Sequence, residues 1–216
     1  VAMDVLIDQY AEPILGKHVA EKFNNALPFL FKILAADQPL SIQAHPGARD
    51  AKEGFLRENA LKIPLNTATR NYKDDRHKPE CICAITPFWA LKGFRDVSTI
   101  VRIIETLCPS GLFGELTGLK SNGRQSLKTF FNSLLTLSEE RKTRLIFEAI
   151  ENAHIHRDED DVFPWVIRLY DAYPSDIGIL SPALLNLIRL SPGQALFLSS
   201  GELHSYLEGL GIELMA

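Results

Sequence analysis

The hydrophobic periodicity of this chain changes twice, and that double change limits the folds open to it. After two leading helical segments, the apolar runs between Leu27 and Phe94 are short and strand-like, from Ser98 to about Tyr173 they recur at helical spacing, and from Leu184 onward strand-like runs return. In the middle block, Val101, Ile104 and Leu107, then Leu127, Phe130, Phe131, Leu134 and Leu135, then Leu145, Ile146, Ala149 and Ile150 mark successive amphipathic helices. Strands on both sides of an all-helical block predict a sheet domain built from two separated stretches, with a helical domain inserted into it or appended to it. The expected division is 1–97 for the first part of the sheet domain with its leading helices, 98–180 for the helical domain, and 181–216 for the returning strands. Those strands are read as Leu184–Leu190, Gln194–Leu198, Leu203–Leu207 and Ile212–Met215, with turns at Ser191-Pro192-Gly193 and around Ser200-Gly201-Glu202. Short strands broken by such turns are typical of barrels and sandwiches.

Within the first part, helices are expected at Met3–Gln9 and Ile14–Phe23, separated by Pro13 and Gly16. Leu27–Ala36 reads as a strand buried on both faces, interrupted by the single charge of Lys32, whose ammonium either reaches the sheet edge or serves a pocket. Ala48–Leu61 has the charge distribution of a surface helix, Ile63–Asp75 that of a loop, and Cys81–Thr86 and Phe88–Phe94 are two strands joined through Pro87. Gly111 to Gly123 reads as a glycine-rich connection between helices. The chain opens at Val1 in an amphipathic segment and closes at Ala216 in mid-strand, so it is expected to be a segment of a longer polypeptide.

With 216 residues, 46% of them hydrophobic, the chain has material for a sizeable core. Its net charge of -4 leaves no basic stripe, which argues against nucleic acid and anionic membrane surfaces as partners. No apolar run approaches the roughly 18 residues of a membrane span, and no signal-peptide pattern opens the chain, so a cytoplasmic location is expected. The cysteine count of three is odd, and Cys81 and Cys83 lie in an apolar run, which reads as buried thiols in a reducing compartment.

The chemistry concentrates in three places. In Pro39-Leu40-Ser41-Ile42-Gln43-Ala44-His45-Pro46, strand alternation puts Ser41, Gln43 and His45 on one face and Leu40, Ile42 and Ala44 on a core face. In Lys78-Pro79-Glu80 the proline holds the residue before it extended, so Lys78 and Glu80 project to one side, and a carboxylate leading into a buried run needs a cation or metal partner. His204 has Tyr206 two residues on, as His45 has Gln43 two residues before it. Alone, either histidine reads more readily as a core or rim residue. Together, two imidazoles, a carboxylate and an amide oxygen compose a zinc-ligand set with positions left for water or substrate, although their spacing does not by itself make them neighbours.

Several stretches resemble, in order and approximate separation, successive blocks of the type I phosphomannose isomerases. They are Phe29 to Leu34, Pro39 to Pro46, Asn71-Tyr72-Lys73-Asp74, His77 to Glu80, Leu190 to Gly193, His204-Ser205-Tyr206 and Gly211 to Ala216. The resemblance covers nearly the whole chain. It implies a mainly β cupin-type barrel or jelly roll carrying a helical domain, with one Zn²⁺ per chain held by Gln43, His45, Glu80 and His204. It implies that Lys78 and Glu213 are catalytic, that Ser41, Lys32 and Tyr206 bind substrate, and that the partner is a small sugar phosphate, mannose 6-phosphate interconverting with fructose 6-phosphate. The family has further sheet before this span and, after it, an arginine-bearing segment and a second cupin domain. Moving a proton between C1 and C2 needs a base, which a positioned carboxylate, imidazole or water can supply, and something to hold negative charge on the oxygens, a role that fits a zinc ion and Lys78. The alternatives are a non-catalytic metal- or sugar-phosphate-binding module and another metal-dependent cupin enzyme.

Overall fold

The computed structural model describes residues 1–215. In chain order the elements are α1 (Met3–Leu15), α2 (Lys17–Lys22), β1 (Leu30–Ala36), α3 (Ala48–Ala60), β2 (Glu80–Ala84), β3 (Phe88–Phe94), α4 (Val97–Leu107), α5 (Phe113–Asn122), α6 (Leu127–Leu135), α7 (Glu139–Ile155), α8 (Val162–Ala172), α9 (Ser181–Leu184), β4 (Leu185–Leu190), β5 (Ala195–Leu198) and β6 (His204–Met215). The six strands form one curled antiparallel sheet in the order β4-β3-β6-β2-β5, with β1 on the second edge of β6.

β6 organises the sheet because it has partners on both edges and changes them along its length. Its first half, His204–Glu208, pairs with β3, and its second half, Gly211–Met215, lies between β1 and β2. The change happens where β6 carries one extra residue against β3: Trp89 faces Glu208 but Ala90 faces Tyr206. Such a bulge reverses the side-chain parity of everything beyond it. Gly209 follows at φ 128, and a Cβ there would meet the Pro87 carbonyl oxygen at 2.7 Å, so only glycine fits the bend. The separate strands expected at Leu203–Leu207 and Ile212–Met215 are therefore one bent strand, the bend having read as a break.

The helices follow from caps and stripes. Asp96 caps α4 by accepting from the Thr99 amide at 2.9 Å, and Ile100, Val101, Ile103, Ile104 and Leu107 bury the helix face behind it. Ser138 caps α7 in the same way. The stretch expected to be a glycine-rich connection contains α5, whose buried Leu116 and Leu119 hold it despite Gly114 and Gly118; packing outweighs the glycine penalty of about 1 kcal/mol per residue. The helical block shares its core with the sheet, since Leu91, Leu185 and Leu207 pack into the same cluster as Ile104, Phe130 and Leu145. A second cluster, Ile82, Phe88, Leu190, Leu196, Leu198 and Tyr206 with their neighbours, fills the concave side of the sheet.

Two further expectations are corrected. β1 is not buried on both faces: Phe31 and Ile33 are exposed, and only Ala36 is buried. The reason is that one side of the β1-β6-β2-β5 region has nothing packed on it among the described residues, which also leaves Cys81 and Cys83 half-buried; of the three thiols only Cys108 is fully buried. No described helix is long and apolar enough to cross a membrane.

Candidate metal centre

Three stretches converge on the concave side of β6. Glu80 opens β2, His204 opens β6, and His45 sits at the end of residues 39–45, an extended strap alongside β6. The strap is not the regular strand expected from its alternation. It makes a single bridge, in which the Gln43 amide donates to the His204 carbonyl at 2.8 Å and the His204 amide donates back at 2.9 Å. Its other ties to β6 and the turn before it are Leu40 N–H to the Tyr206 carbonyl (2.9 Å), Ser205 Oγ to the Leu40 carbonyl (2.6 Å) and Gly201 N–H to the His45 carbonyl (2.6 Å). Leu40 and Ile42 do not enter the packed core; both are more than a third exposed and face an open apolar cavity.

One ligating atom from each of His45, Glu80 and His204 lies within 4.8 Å of the others. His204 Nδ1 is 2.9 Å from the Glu202 carbonyl oxygen, which only accepts, so Nδ1 carries a hydrogen and Nε2 is the nitrogen available to a metal once it is deprotonated. Nε2 faces Glu80 Oε2 at 3.3 Å. His45 Nε2 stands 2.8 Å from Glu80 Oε1 without the alignment of a hydrogen bond and has no hydrogen-bond partner although buried. Two imidazole nitrogens and a carboxylate aimed at one point need a proton or a metal cation between them, and N, N and O donors match zinc. The residues present fit a metal.

With no metal bound, the electrostatics are those of imidazoles paired with a carboxylate, and a metal ion would take the place of the proton between them. Burial pushes the Glu80 carboxyl up, but its contacts with His204, His45 and the Tyr206 hydroxyl outweigh burial and hold it below the usual carboxylate range. Burial pushes His204 down, and the Glu80 carboxylate with the Glu202 carbonyl outweighs it, so this imidazole is raised. Tyr206 is raised chiefly by burial and then by Glu80 and Glu213; its hydroxyl stays protonated and donates to Glu80 Oε2 at 3.2 Å.

Of the residues singled out from sequence, Lys32, Ser41, Gln43, Glu80, His204, Tyr206 and Glu213 line one cavity of about 110 Å³ beside the cluster. Glu213 is buried, with Lys32 Nζ 2.5 Å from its Oε2. His204 and Glu213 are nine residues apart and would point to opposite faces of a regular strand; the bulge in β6 turns both inward. Lys78 is outside that lining, and its ammonium is held by Asp74 Oδ2 at 2.7 Å. A volume of about 110 Å³ holds an ion with water but is below the roughly 300 Å³ at which pockets for whole organic ligands begin.

Sequence reasoning missed the residues that support the site. Glu202 orients His204 through its carbonyl, a role any residue can play and no sequence pattern marks. The loop before Lys78 is pinned by Glu58 and Arg70: the carboxylate of Glu58 accepts from the Asn71 and Tyr72 amides, and Arg70 donates to the carbonyls of Ile63 and Tyr72 and to Asn59. A charged pair twelve residues apart across a loop leaves only the weak signal of a lone arginine among small polar residues.

Residues 3–97 match the family described as "Phosphomannose isomerase type I, catalytic domain". Along all of its length the chain is 39% identical to the mannose-6-phosphate isomerase of Salmonella typhimurium and 39% to that of Escherichia coli, covering 54% of each. It is 37% identical to the Homo sapiens mannose-6-phosphate isomerase, with 94% of the chain aligned to 49% of that protein. Among solved structures it matches a zinc-bound mannose 6-phosphate isomerase with a TM-score of 0.90 at 38% identity, covering 100% of this chain and 54% of that one. It matches equally, at a TM-score of 0.90 and 38% identity, the Salmonella typhimurium enzyme bound to its substrate fructose 6-phosphate and zinc. The chain thus spans about half the length of the curated relatives it matches.

Proposed function

Because the chain belongs to the type I phosphomannose isomerase family, we propose that it carries the metal centre of a zinc-dependent isomerase interconverting mannose 6-phosphate and fructose 6-phosphate. The observation that carries this reading is the buried His45 Nε2 without a hydrogen-bond partner, 2.8 Å from Glu80 and in one cluster with His204. In this reading His45, Glu80 and His204 hold one Zn²⁺ per chain and Gln43, on the cavity wall beside them, is the fourth ligand. Bound zinc supplies Lewis-acid stabilisation of charge on the sugar oxygens.

The remaining roles fall to the chain's own side chains. A proton leaves C2 of the aldose as one is delivered to O1, giving an enediol; a proton then leaves O2 as one is returned to C1, so no oxidant or reductant is needed. Glu213, anchored by Lys32, and Lys78, steered by Asp74, are the acid-base and cationic groups assigned to these transfers, with Ser41, Lys32 and Tyr206 fixing the sugar. The small cavity supports placing only the reacting end of the sugar there, with the rest of the molecule toward the mouth.

The same reading takes residues 1–97 with 181–216 as a cupin-type β domain and 98–180 as its helical domain, acting on a small sugar phosphate in the cytoplasm. The curled antiparallel sheet and its bent central strand support it. The test is zinc analysis and isomerase assay on one purified sample. About one zinc per chain together with turnover of mannose 6-phosphate is expected. Zinc without turnover favours a metal-binding module, and a chain that takes up no zinc overturns the metal centre.

A further inference from the structure

Every hydrogen bond that fixes the strap comes from β6 or the turn before it, with one exception among the described residues. The hydroxyl of Tyr173, the residue that closes α8, donates to the Pro39 carbonyl at 2.7 Å across 134 residues of sequence. The Tyr173 amide donates in turn to the Leu169 carbonyl at 2.8 Å, so the tyrosine is fixed to the end of its helix. Between the strap and the helical block lies an apolar cavity of about 450 Å³, walled by Leu40, Ile42, Phe131, Leu134, Leu184 and Tyr173. Leu40 and Ile42 therefore have few atoms packed behind them, and a side chain facing a void forfeits its dispersion contacts on that side. A segment backed by a cavity is positioned by its polar ties.

Resting on the reading of Gln43 and His45 as zinc ligands, we infer that Tyr173 is a positioning residue for the metal centre. Through the Pro39 carbonyl it ties the ligand-bearing strap to the helical block and sets how the strap lies against β6. It touches neither metal nor sugar and acts by keeping the donor atoms of the strap aligned with Glu80 and His204. Outer partners that orient ligands commonly govern metal affinity, here one step further out than a bond to the ligand itself.

The experiment compares wild type, Tyr173→Phe and Tyr170→Phe. The first change deletes the hydroxyl while keeping the ring; the second deletes a hydroxyl from the same helix that makes no bond to the strap. Zinc affinity is measured by chelator competition, and amide hydrogen exchange at Gln43 is followed in the metal-free protein. In Tyr173→Phe, the zinc dissociation constant and the Gln43 exchange rate are each expected to rise about three- to tenfold, the size of one lost hydrogen bond. Exchange in β2 stays unchanged, and Tyr170→Phe behaves as wild type. Unchanged Gln43 exchange in Tyr173→Phe, or an equal effect in Tyr170→Phe, overturns the inference. If wild type takes up no zinc, the metal reading falls on its own, and the exchange arm still decides whether Tyr173 holds the strap.

Discussion

The two faces of the sheet region formed by β1, β6, β2 and β5 depart in opposite ways from the usual arrangement of apolar inside and polar outside: one buries charged groups among its apolar ones, and the other exposes large apolar groups. On the concave face Glu80, His204 and Glu213 are each 4% exposed or less, beside Lys32 and Tyr206. On the opposite face of the same strands, Phe31 is 61% exposed, Ile33 73% and Phe197 58%. Both faces come from one rule, alternation with period two. What separates them is what lies over each: the concave face has the second apolar cluster and the strap, and the outer face has nothing packed on it among the described residues. Strand patterning assigns residues to faces; it does not say which face is covered.

The change with the largest expected effect removes a donor from the concave face. His204→Ala deletes one of the three clustered ligating groups and, with it, the imidazole that Glu202 orients. Zinc affinity is expected to fall by two or more orders of magnitude, read by elemental analysis after gel filtration. Retention of one zinc per chain in this variant would remove His204 from the ligand set and reduce the charged groups of the concave face to a buried ion-pair network. Next in size is Lys78→Met, in which zinc content and fold are expected to persist while isomerase turnover falls about 100-fold, on the scale of one lost electrostatic stabiliser. Lys78 is two-thirds buried against Asp74 and does not line the small cavity. A lower melting temperature with full turnover in the remaining folded protein would therefore make the Asp74 pair structural.

These particular residues show how far the sequence was legible. The order of strands, helical block and strands follows from periodicity alone, and the helix caps Asp96 and Ser138 stand where the apolar stripes begin. Seven of the nine singled-out site residues line one cavity, and an eighth, His45, stands in the cluster beside it. Periodicity failed at β6, because the extra residue between Tyr206 and Glu208 reverses parity and leaves no mark except Gly209. It failed again at β1, where a continuous apolar run was read as burial on two sides. Burial depends on neighbours distant in sequence, and the run Leu30–Ala36 is equally apolar whether or not anything covers it. The strap showed a third limit: Ser41 and Gln43 line the small cavity, but so does Leu40, and Ser41 also borders the apolar cavity behind Leu40 and Ile42, so alternation does not separate the two sides of an irregular segment.

The smallest expected effects test this difference between the faces most directly, because they contrast two apolar residues on neighbouring strands. Ile82 in β2 is completely buried on the concave side, opposite Leu196 and Glu213. Truncating it leaves a cavity that close-packed neighbours only partly fill, so Ile82→Ala is expected to cost about 2–4 kcal/mol in urea unfolding. Phe31 is larger and its full burial would contribute more, yet most of its ring already meets water in the folded protein. Phe31→Ser is therefore expected to change stability by no more than about 0.5 kcal/mol, the usual scale of exposed positions. Both are measured as shifts in the urea midpoint at constant slope, and the order of the two costs is the prediction. A Phe31→Ser penalty equal to that of Ile82→Ala would mean that the outer face is covered in solution, and the contrast between the two faces would no longer describe the folded protein.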